Sequence, residues 1–294
     1  MREAEIAHDG RVLRVRDAGE PRGPVVMYFH GTPGSRLDLR FGEQLAADHG
    51  IRLVSFDRPG YGGSTPAPFG LASVGADAHA VADGLGVDRF ATLGMSGGGP
   101  GALAAAVVPG SRVIRVGVAS GPGPFQLVPG ALDGLDDDDR AALSVLPGDP
   151  AAAASAFAAG FEPLAELSRE PGSPGLVAAF EDLLSSRDRQ LLDDQRYASV
   201  FADTIREGLR PGTSGGGWDN VSWLGPWDID VSAARCPVLL WYGRDDRFAP
   251  LAHGVWLSEN VPGARLVVRD GEGHLGFYDH LGEMLEALTE PGTA

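Results

Sequence analysis

One serine, one histidine and a pair of aspartates occur in an order that suits nucleophilic chemistry. Ser96 is the central residue of a G-x-S-x-G run at 94–98. Asp245 and Asp246 stand two and three residues after Gly243, and His274 lies near the C-terminal end. A serine hydroxyl becomes a strong nucleophile when a histidine takes its proton. The imidazole in turn needs an acid that orients it and stabilises its charged form. These residue types therefore predict covalent catalysis, provided that the fold brings them together.

The G-x-S-x-G run stands between an apolar strand pattern at 90–93 and an alanine-rich helix pattern at 101–108. A tight turn from strand to helix strains the backbone of its central residue and lifts that side chain clear of the sheet. Glycines at 94 and 98 remove the Cβ atoms that would clash there. The N-terminus of the following helix offers free N–H groups to a developing oxyanion. The alternative is a glycine-rich turn with an idle serine, and the five residues alone do not decide between the two.

Strand and helix patterns alternate along most of the chain. We expect a hairpin at 5–17 around the turn Asp9-Gly10, then strands at 24–30, 51–56, 90–93, 112–119, 237–242 and 264–269. Between them, helices are expected at 38–49, 73–85, 101–108, 251–260 and 281–288. This alternation predicts an α/β fold, a mostly parallel sheet flanked by helices.

The alternation stops in the middle of the chain. From residue 121 to residue 235 the strand patterns vanish, and helix patterns appear at 150–159, 176–186 and 188–207, with a glycine-rich interruption at 212–217. We interpret residues 121–235 as a helical cap inserted in a core domain that comprises residues 1–120 and 236–294.

The polar residues of interest all follow predicted strands. His30 and Thr32 follow the first strand after the hairpin, and Asp57 follows the next one. Ser96, Asp246 and His274 each follow a later strand. Because the carboxyl ends of parallel strands meet at one edge of a sheet, we expect these residues to converge there.

Four motifs make the sequence resemble the α/β-hydrolase fold proteins that carry a cap. They are His-Gly-Thr-Pro-Gly at 30–34, Asp-Arg-Pro-Gly-Tyr-Gly-Gly-Ser at 57–64, the run at 94–98, and Gly-Glu-Gly-His at 271–274. The order serine, acid, histidine is also that of this fold. The resemblance implies that Ser96 is the nucleophile and His274 the base, and that the N–H groups of Thr32 and Gly97 form the oxyanion hole.

The acid is either Asp245 or Asp246. In capped members of the family, the acid stands three residues after the glycine and four before a proline. Gly243 and Pro250 give Asp246 that spacing, so we expect Asp246 to be the acid and Asp245 a solvated neighbour. His30, Asp57 and Arg58 are expected to brace their loops.

Composition excludes several classes of function. A net charge of −16 repels phosphate backbones, so we expect no nucleic-acid partner. The chain has no lysine, which rules out a Schiff-base lysine and a P-loop lysine, and its single cysteine excludes an internal disulfide. We expect no cofactor and no metal. Without a signal-peptide pattern or an apolar run of 18 residues, we also expect a cytoplasmic protein with no membrane span.

The cap is expected to select the substrate. We expect Phe125 and Trp223 of the cap, together with Met95, to contact it. Other aromatic residues that could line the pocket are Phe161, Phe201, Trp218 and Trp227. The resemblance implies a serine hydrolase that cleaves a small acyl substrate, namely an ester, a lactone or a thioester.

Alternative functions remain at this stage. One is an aminopeptidase, in which Glu162, Glu166 and Glu170 would bind an amine. The others are a carbon–carbon bond hydrolase with the same three catalytic groups, and a ligand-binding or cofactor-free member of the fold. An epoxide hydrolase would need an aspartate at position 96. The sequence does not indicate an oligomeric state.

Overall fold

The computed structural model of the chain describes residues 1–172 and 174–290. Ser173 of the expected cap and residues 291–294 of the expected core domain lie outside the described residues. Eight strands form one sheet in the order β1-β2-β4-β3-β5-β6-β7-β8. The pairs β1/β2 and β2/β4 are antiparallel and the other five are parallel. The predicted α/β fold with a mostly parallel sheet is therefore confirmed.

The strands lie close to their expected positions. They are β1 (Arg2–His8), β2 (Arg11–Gly19), β3 (Val25–Phe29), β4 (Arg52–Phe56), β5 (Phe90–Met95), β6 (Val113–Ala119), β7 (Val238–Gly243) and β8 (Ala264–Arg269). Asp9 and Gly10, which join β1 to β2, both have positive φ. That conformation matches the right-handed twist of a two-residue hairpin turn. Every residue of β3 and β5 is buried, as in strands covered on both faces.

Five helices cover the two faces of the sheet. They are α1 (Glu43–Asp48), α2 (Leu71–Gly84), α3 (Gly99–Val107), α11 (Leu251–Asn260) and α12 (Phe277–Thr289). Side chains of α2, α3 and α11 join one apolar core, and those of α1 and α12 join the other. Among the described residues, no helix combines the length and the apolar character that crossing a bilayer requires.

The segment between β6 and β7 contributes helices to the described part of the chain and no strand. The helices are α4 (Asp137–Ser144), α5 (Pro150–Gly160), α6 (Glu162–Leu167), α7 (Pro174–Ala178), α8 (Ser186–Asp193), α9 (Gln195–Gly208) and α10 (Ser214–Trp223). They enclose two small apolar clusters, one around Phe157 and Leu224 and the other around Ile205 and Leu209.

Several helix boundaries differ from the sequence expectation. The helix expected at 38–49 begins only at Glu43, and that expected at 188–207 is broken at Asp194, whose carboxylate caps α9. The helix expected at 176–186 is the short α7 followed by turns. The glycine-rich stretch 212–217, expected to interrupt the helical pattern, supplies the first turn of α10.

Close packing explains why glycines are tolerated in α10. A Cβ on Gly215 would stand 2.8 Å from the carbonyl carbon of Gly60, and one on Gly216 would stand 2.7 Å from the Phe161 ring. A Cβ on Gly217 would overlap the carbonyl oxygen of Ala154 in α5. The three glycines therefore let α10 approach α5 and the loop at 57–64. Tertiary contact outweighs their poor helix propensity.

This packing predicts opposite effects for two glycine-to-alanine substitutions. Gly217→Ala should lower the free energy of unfolding by about 1–3 kcal/mol, because the new methyl group has no room against α5. Gly160→Ala, also in a helix, has nothing within 4 Å of the new Cβ and should be neutral or stabilising by up to about 1 kcal/mol. Chemical denaturation of both variants measures this. Equal effects would show that α10 is loosely packed.

Candidate active site

Ser96 lies at a sharp turn between β5 and α3. Its φ is +52°, a left-handed conformation that a non-glycine residue adopts only under constraint. Between residues 90 and 106 it is the one residue that is not buried. Cβ atoms at Gly94 and Gly98 would stand 2.6 Å from the Gly98 carbonyl carbon and 2.5 Å from the His30 carbonyl oxygen, respectively. The turn therefore has the strained, glycine-flanked geometry that the G-x-S-x-G pattern predicts.

His274 and Asp246 form a buried pair. Nδ1 of His274 lies 2.9 and 3.0 Å from the two carboxylate oxygens of Asp246. The side chain of Asp246 is 0% exposed, and its Oδ1 also accepts hydrogen bonds from the N–H groups of Phe248 and Ala249. The ring of Phe248 stacks on the imidazole at 4.5 Å. Asp245 is exposed, so the structure pairs His274 with Asp246, the aspartate that the spacing favours.

A second carboxylate holds the backbone of the histidine loop. Asp188 is fully buried, and its Oδ2 accepts from the N–H of His274 at 3.2 Å. Its Oδ1 accepts from the N–H of Leu275 at 2.8 Å. Sequence reasoning missed this residue. The pattern Ser185-x-x-Asp188 marks the start of α8, but nothing in it indicates a contact 86 positions away.

A third buried carboxylate holds the loop that carries Thr32. Asp219 of α10 accepts from the Thr32 hydroxyl at 2.7 Å and from the Tyr61 hydroxyl at 2.7 Å. Arg58 binds both oxygens of Asp219, at 2.8 and 2.5 Å, and also donates to the carbonyl of His30 at 2.6 Å. Burial disfavours the charge of Arg58, but Asp219 outweighs it and raises the pKa of the guanidinium. Sequence reasoning expected Arg58 to brace its own loop and did not identify Asp219.

The expected oxyanion donors, Thr32 and Gly97, lie side by side. A Cβ on Gly97 would overlap the Thr32 hydroxyl, so only glycine permits this approach. The N–H of Gly97 lies in the first turn of the short 3-10 helix Ser96–Gly98, where it has no intrahelical acceptor. No described residue accepts a hydrogen bond from the N–H of Thr32. Among the described residues, both N–H groups are thus without an acceptor and lie next to Ser96.

His30 is a structural residue of this loop. It is fully buried, its Nδ1 lies 2.8 Å from the Gly31 carbonyl, and its Nε2 accepts from the N–H of Arg58 at 3.3 Å. Burial, together with the nearby charge of Arg58, lowers the pKa of His30 well below its usual value. A neutral imidazole with both nitrogens engaged is suited to bracing the loop, as expected.

Two cavities meet at Ser96. The smaller, of ≈ 70 Å³, is lined by Ser96, His274, Met95 and Phe201, among others. The larger, of ≈ 430 Å³, is lined by Ser96, Gly97, Phe125 and Trp223, among others. Met95 on one side and Phe125 and Trp223 on the other therefore lie where a substrate held at Ser96 would contact them.

Other residues considered from the sequence lie elsewhere. Phe161, Trp218 and Trp227 line neither of these two cavities. Phe161 packs on Gly216, and the two tryptophans pack against the core of the sheet. The three glutamates that an amine site would need are exposed and also lie outside both cavities: Glu162, Glu166 and Glu170.

Of the hydrogen bonds that would connect Ser96, His274 and Asp246 in series, the described residues lack one. Ser96 and His274 line the same cavity, but no hydrogen bond joins Ser96 Oγ to Nε2 of His274 among the described residues. Such bonds are often long without substrate and tighten in the reactive complex. The site thus combines the hydroxyl of Ser96, whose backbone is strained, with an imidazole that Asp246 orients. Beside them lie two N–H groups, those of Thr32 and Gly97, that have no acceptor among the described residues.

Comparison with known proteins agrees with this geometry. A family model described as "alpha/beta hydrolase fold" matches residues 24–281. The chain is 27% identical over 277 residues to a 2-hydroxy-6-oxo-6-phenylhexa-2,4-dienoate hydrolase of Burkholderia cepacia, covering 91% of this chain and 86% of that protein. It is 26% identical to epoxide hydrolase A of Mycobacterium tuberculosis, with 98% and 96% covered. A solved structure described as an N-acyl homoserine lactone degrading enzyme, Est816, superposes with a TM-score of 0.69 at 21% identity, with 97% and 98% covered.

Replacing one carboxylate oxygen of Asp188 should lower kcat, because the backbone of His274 would be held less precisely. Asp188→Asn keeps one acceptor but cannot accept from both loop N–H groups, so we expect kcat to fall about 10- to 100-fold, with KM nearly unchanged. Asp193→Asn, an exposed aspartate of the same helix, is the matched control and should retain wild-type kcat. Equal activity of the two variants would show that Asp188 does not position the histidine loop.

Acid should destabilise the fold partly through His253. Its Nδ1 accepts from the N–H of Gly123 at 3.0 Å, and burial lowers its pKa below the usual 6.5. Below pH 6.5 the unfolded chain therefore binds a proton that the folded chain refuses, so stability falls as pH falls. His253→Asn keeps an acceptor without titrating. Between pH 7 and pH 5 its free energy of unfolding should fall less than that of wild type, by a difference of at most about 2 kcal/mol, measured by urea denaturation. Identical pH profiles would contradict this.

Proposed function

The chain belongs to the α/β-hydrolase fold family, and we propose that it is a serine hydrolase acting on a small acyl substrate: an ester, a lactone or a thioester. One observation carries the proposal. The strained Ser96 shares a cavity with a histidine whose Nδ1 is fixed by a buried aspartate, beside two N–H donors that no described residue pairs. Its relatives in the comparison are hydrolases, which agrees with hydrolysis but does not define the acyl group.

In the proposed first step, Ser96 Oγ attacks the substrate carbonyl while Nε2 of His274 takes its proton. Asp246 stabilises the resulting imidazolium through Nδ1. The N–H groups of Thr32 and Gly97 bind the oxyanion, and each such donor is worth about 2.7–4 kcal/mol in comparable enzymes. Collapse of the intermediate transfers the proton from His274 to the leaving group and leaves an acyl group on Ser96.

In the second step, water replaces the leaving group. His274 takes a proton from this water, the hydroxide attacks the acyl carbonyl, and the same two N–H donors bind the second oxyanion. The proton then returns to Ser96 Oγ as the acid departs. This sequence needs no group beyond those that the chain provides.

We further propose that residues 121–235 serve as a cap on a core of residues 1–120 and 236–294. Phe125 and Trp223 from this segment line the large cavity, and Phe201 lines the small one. The cap in this proposal is a fixed wall, because two of its carboxylates, those of Asp188 and Asp219, bind the catalytic loops.

Carbon–carbon bond hydrolysis is the second candidate. It is favoured by the relative named as a 2-hydroxy-6-oxo-6-phenylhexa-2,4-dienoate hydrolase and by others named as 2-hydroxy-6-oxononadienedioate hydrolases, all 25–27% identical over most of this chain. The same serine, histidine and donors would act, with the proton delivered to a carbon leaving group. An epoxide hydrolase mechanism would need an aspartate where Ser96 stands, and the exposed glutamates of the cap offer no support for an aminopeptidase.

Replacement of the nucleophile tests the main proposal. Ser96→Ala should lower turnover of p-nitrophenyl acetate or butyrate by at least about 10⁴-fold, since a serine nucleophile has no substitute. It should also abolish labelling by a fluorophosphonate probe. Ser258→Ala, a half-buried serine on α11 that lines neither cavity, is the control and should behave as wild type.

The outcome also separates the candidates. Full activity of Ser96→Ala would disprove the acyl-enzyme route. Probe labelling at Ser96 without turnover of any ester, lactone or thioester, but with cleavage of a 2-hydroxy-6-oxo-dienoate, would favour the carbon–carbon hydrolase. Absence of labelling in folded wild-type protein would favour a ligand-binding role.

A further inference from the structure

The wall of the large cavity contains two buried polar atoms that lack a hydrogen-bond partner among the described residues. They are Nε1 of Trp223 and Oδ1 of Asn220. Both residues lie on α10 and line the cavity. Three positions apart on a helix, they project from the same face. Native proteins rarely leave buried polar atoms unpaired, because such atoms have lost their bonds to water, so this pair needs an explanation.

The two atoms lie next to the nucleophile. Nε1 of Trp223 is 3.2 Å from the point where a Cβ on Gly97 would stand, and Gly97 follows Ser96 in the chain. Asn220 is only 9% exposed. The surrounding wall includes apolar side chains that offer no partner: Phe125, Val128, Leu183, Leu224 and Phe248. A ligand that displaces water from this cavity can therefore supply the missing hydrogen bonds.

We propose that Trp223 and Asn220 recognise a second oxygen of the substrate, on the part that occupies the large cavity and a few atoms from the reacting carbonyl. This inference rests on the proposed function. An indole N–H can only donate, so it selects an acceptor such as a ketone oxygen. The unpaired Oδ1 of Asn220 can only accept, so it engages a hydroxyl of the substrate. The substrate class is then an oxo- or hydroxy-substituted acyl compound, not a plain alkyl ester.

Two pairs of isosteric esters test this proposal. On the acyl side, p-nitrophenyl 4-oxopentanoate is compared with p-nitrophenyl 4-methylpentanoate. On the alcohol side, 2-oxopropyl acetate is compared with 2-methylpropyl acetate. Each kcat/KM is divided by the rate constant for hydroxide hydrolysis of the same ester, which removes the electronic effect of the ketone.

We expect wild type to favour the oxo ester roughly tenfold in one of the two pairs, the size of one good hydrogen bond. Which pair shows the preference identifies the side of the substrate that enters the large cavity. Trp223→Phe, which keeps an aromatic ring but lacks the N–H, should bring that ratio close to one, because the oxo ester loses more kcat/KM than the apolar ester does. Asn220→Leu should leave this ratio unchanged, because a ketone has no hydrogen to donate to Oδ1. It should not lower the melting temperature either, since Oδ1 has no partner among the described residues to lose.

Trp218→Phe is the matched control. Trp218 lies on the same helix but outside both cavities, so its substitution should leave the ratio unchanged. Ratios near one in both pairs for wild type would overturn the inference. An equal loss for both members of a pair in Trp223→Phe would overturn it as well, and would instead make the indole a donor to the oxyanion.

A binding measurement separates this inference from the proposed function. The Ser96→Ala variant is titrated by calorimetry with methyl 4-oxopentanoate, methyl 4-methylpentanoate and the two acetates. About tenfold tighter binding of one oxo ester, lost in Ser96→Ala/Trp223→Phe, supports the recognition pair even if wild type hydrolyses none of the esters. Equal affinities within both pairs reject the recognition pair even if Ser96 is confirmed as the nucleophile.

Discussion

A buried ion pair between Arg58 and Asp219 joins the helical segment between β6 and β7 to the loop that carries Thr32. Both side chains are 2% exposed, and their two parallel hydrogen bonds leave little freedom of orientation. Such a pair contributes modestly to stability compared with apolar packing, but loss of one partner strands a buried charge and costs about 3–5 kcal/mol. The main effect of the ion pair is to fix the position of the loop next to Ser96. Thr32, His30 and Tyr61 all bind one of its two members, so the loop next to Ser96 has one arrangement.

The histidine loop depends on the inserted segment in the same way. Asp188 binds its backbone from α8, while Asp219 binds the opposite loop from α10. Between them stands Ser96, whose strained φ is imposed by the core through β5 and α3. A catalytic site gains most when its dipoles are fixed before the substrate arrives. In the proposed mechanism the sheet supplies the nucleophile, and the helices between β6 and β7 fix the groups that surround it. This segment would then be part of the catalytic scaffold as well as of the substrate pocket.

The sequence predicted the parts of this design that short patterns encode. Strand and helix periodicity gave the parallel sheet, and the turn at Ser96 and the proximity of Asp246 to His274 followed from motifs at strand ends. Long-range polar contacts were beyond its reach. Asp188 and Asp219 are single acids in helical runs, where a solvated carboxylate and a buried one look alike until the partner loop is known. The helical conformation of the glycines at 215–217 was not predicted for a related reason. Helix propensity describes an isolated helix and not one packed against α5.

Polar groups of the site differ in whether the protein supplies their hydrogen-bond partners, and this difference parallels their proposed roles in the reaction and in the choice of substrate. The groups proposed to carry out the reaction are held by protein: Asp246 by two N–H groups, His274 by Asp246 and Asp188, and Thr32 by Asp219. Trp223 and Asn220, in contrast, keep buried polar atoms for which the described part of the chain offers no partner. A fold that serves many hydrolytic reactions can conserve the first set and vary the second, because only the second depends on what the substrate presents. The unpaired atoms of Trp223 and Asn220 are therefore the groups from which we expect the choice of substrate to arise. The hydrogen-bonded groups are those that we expect to determine the type of reaction.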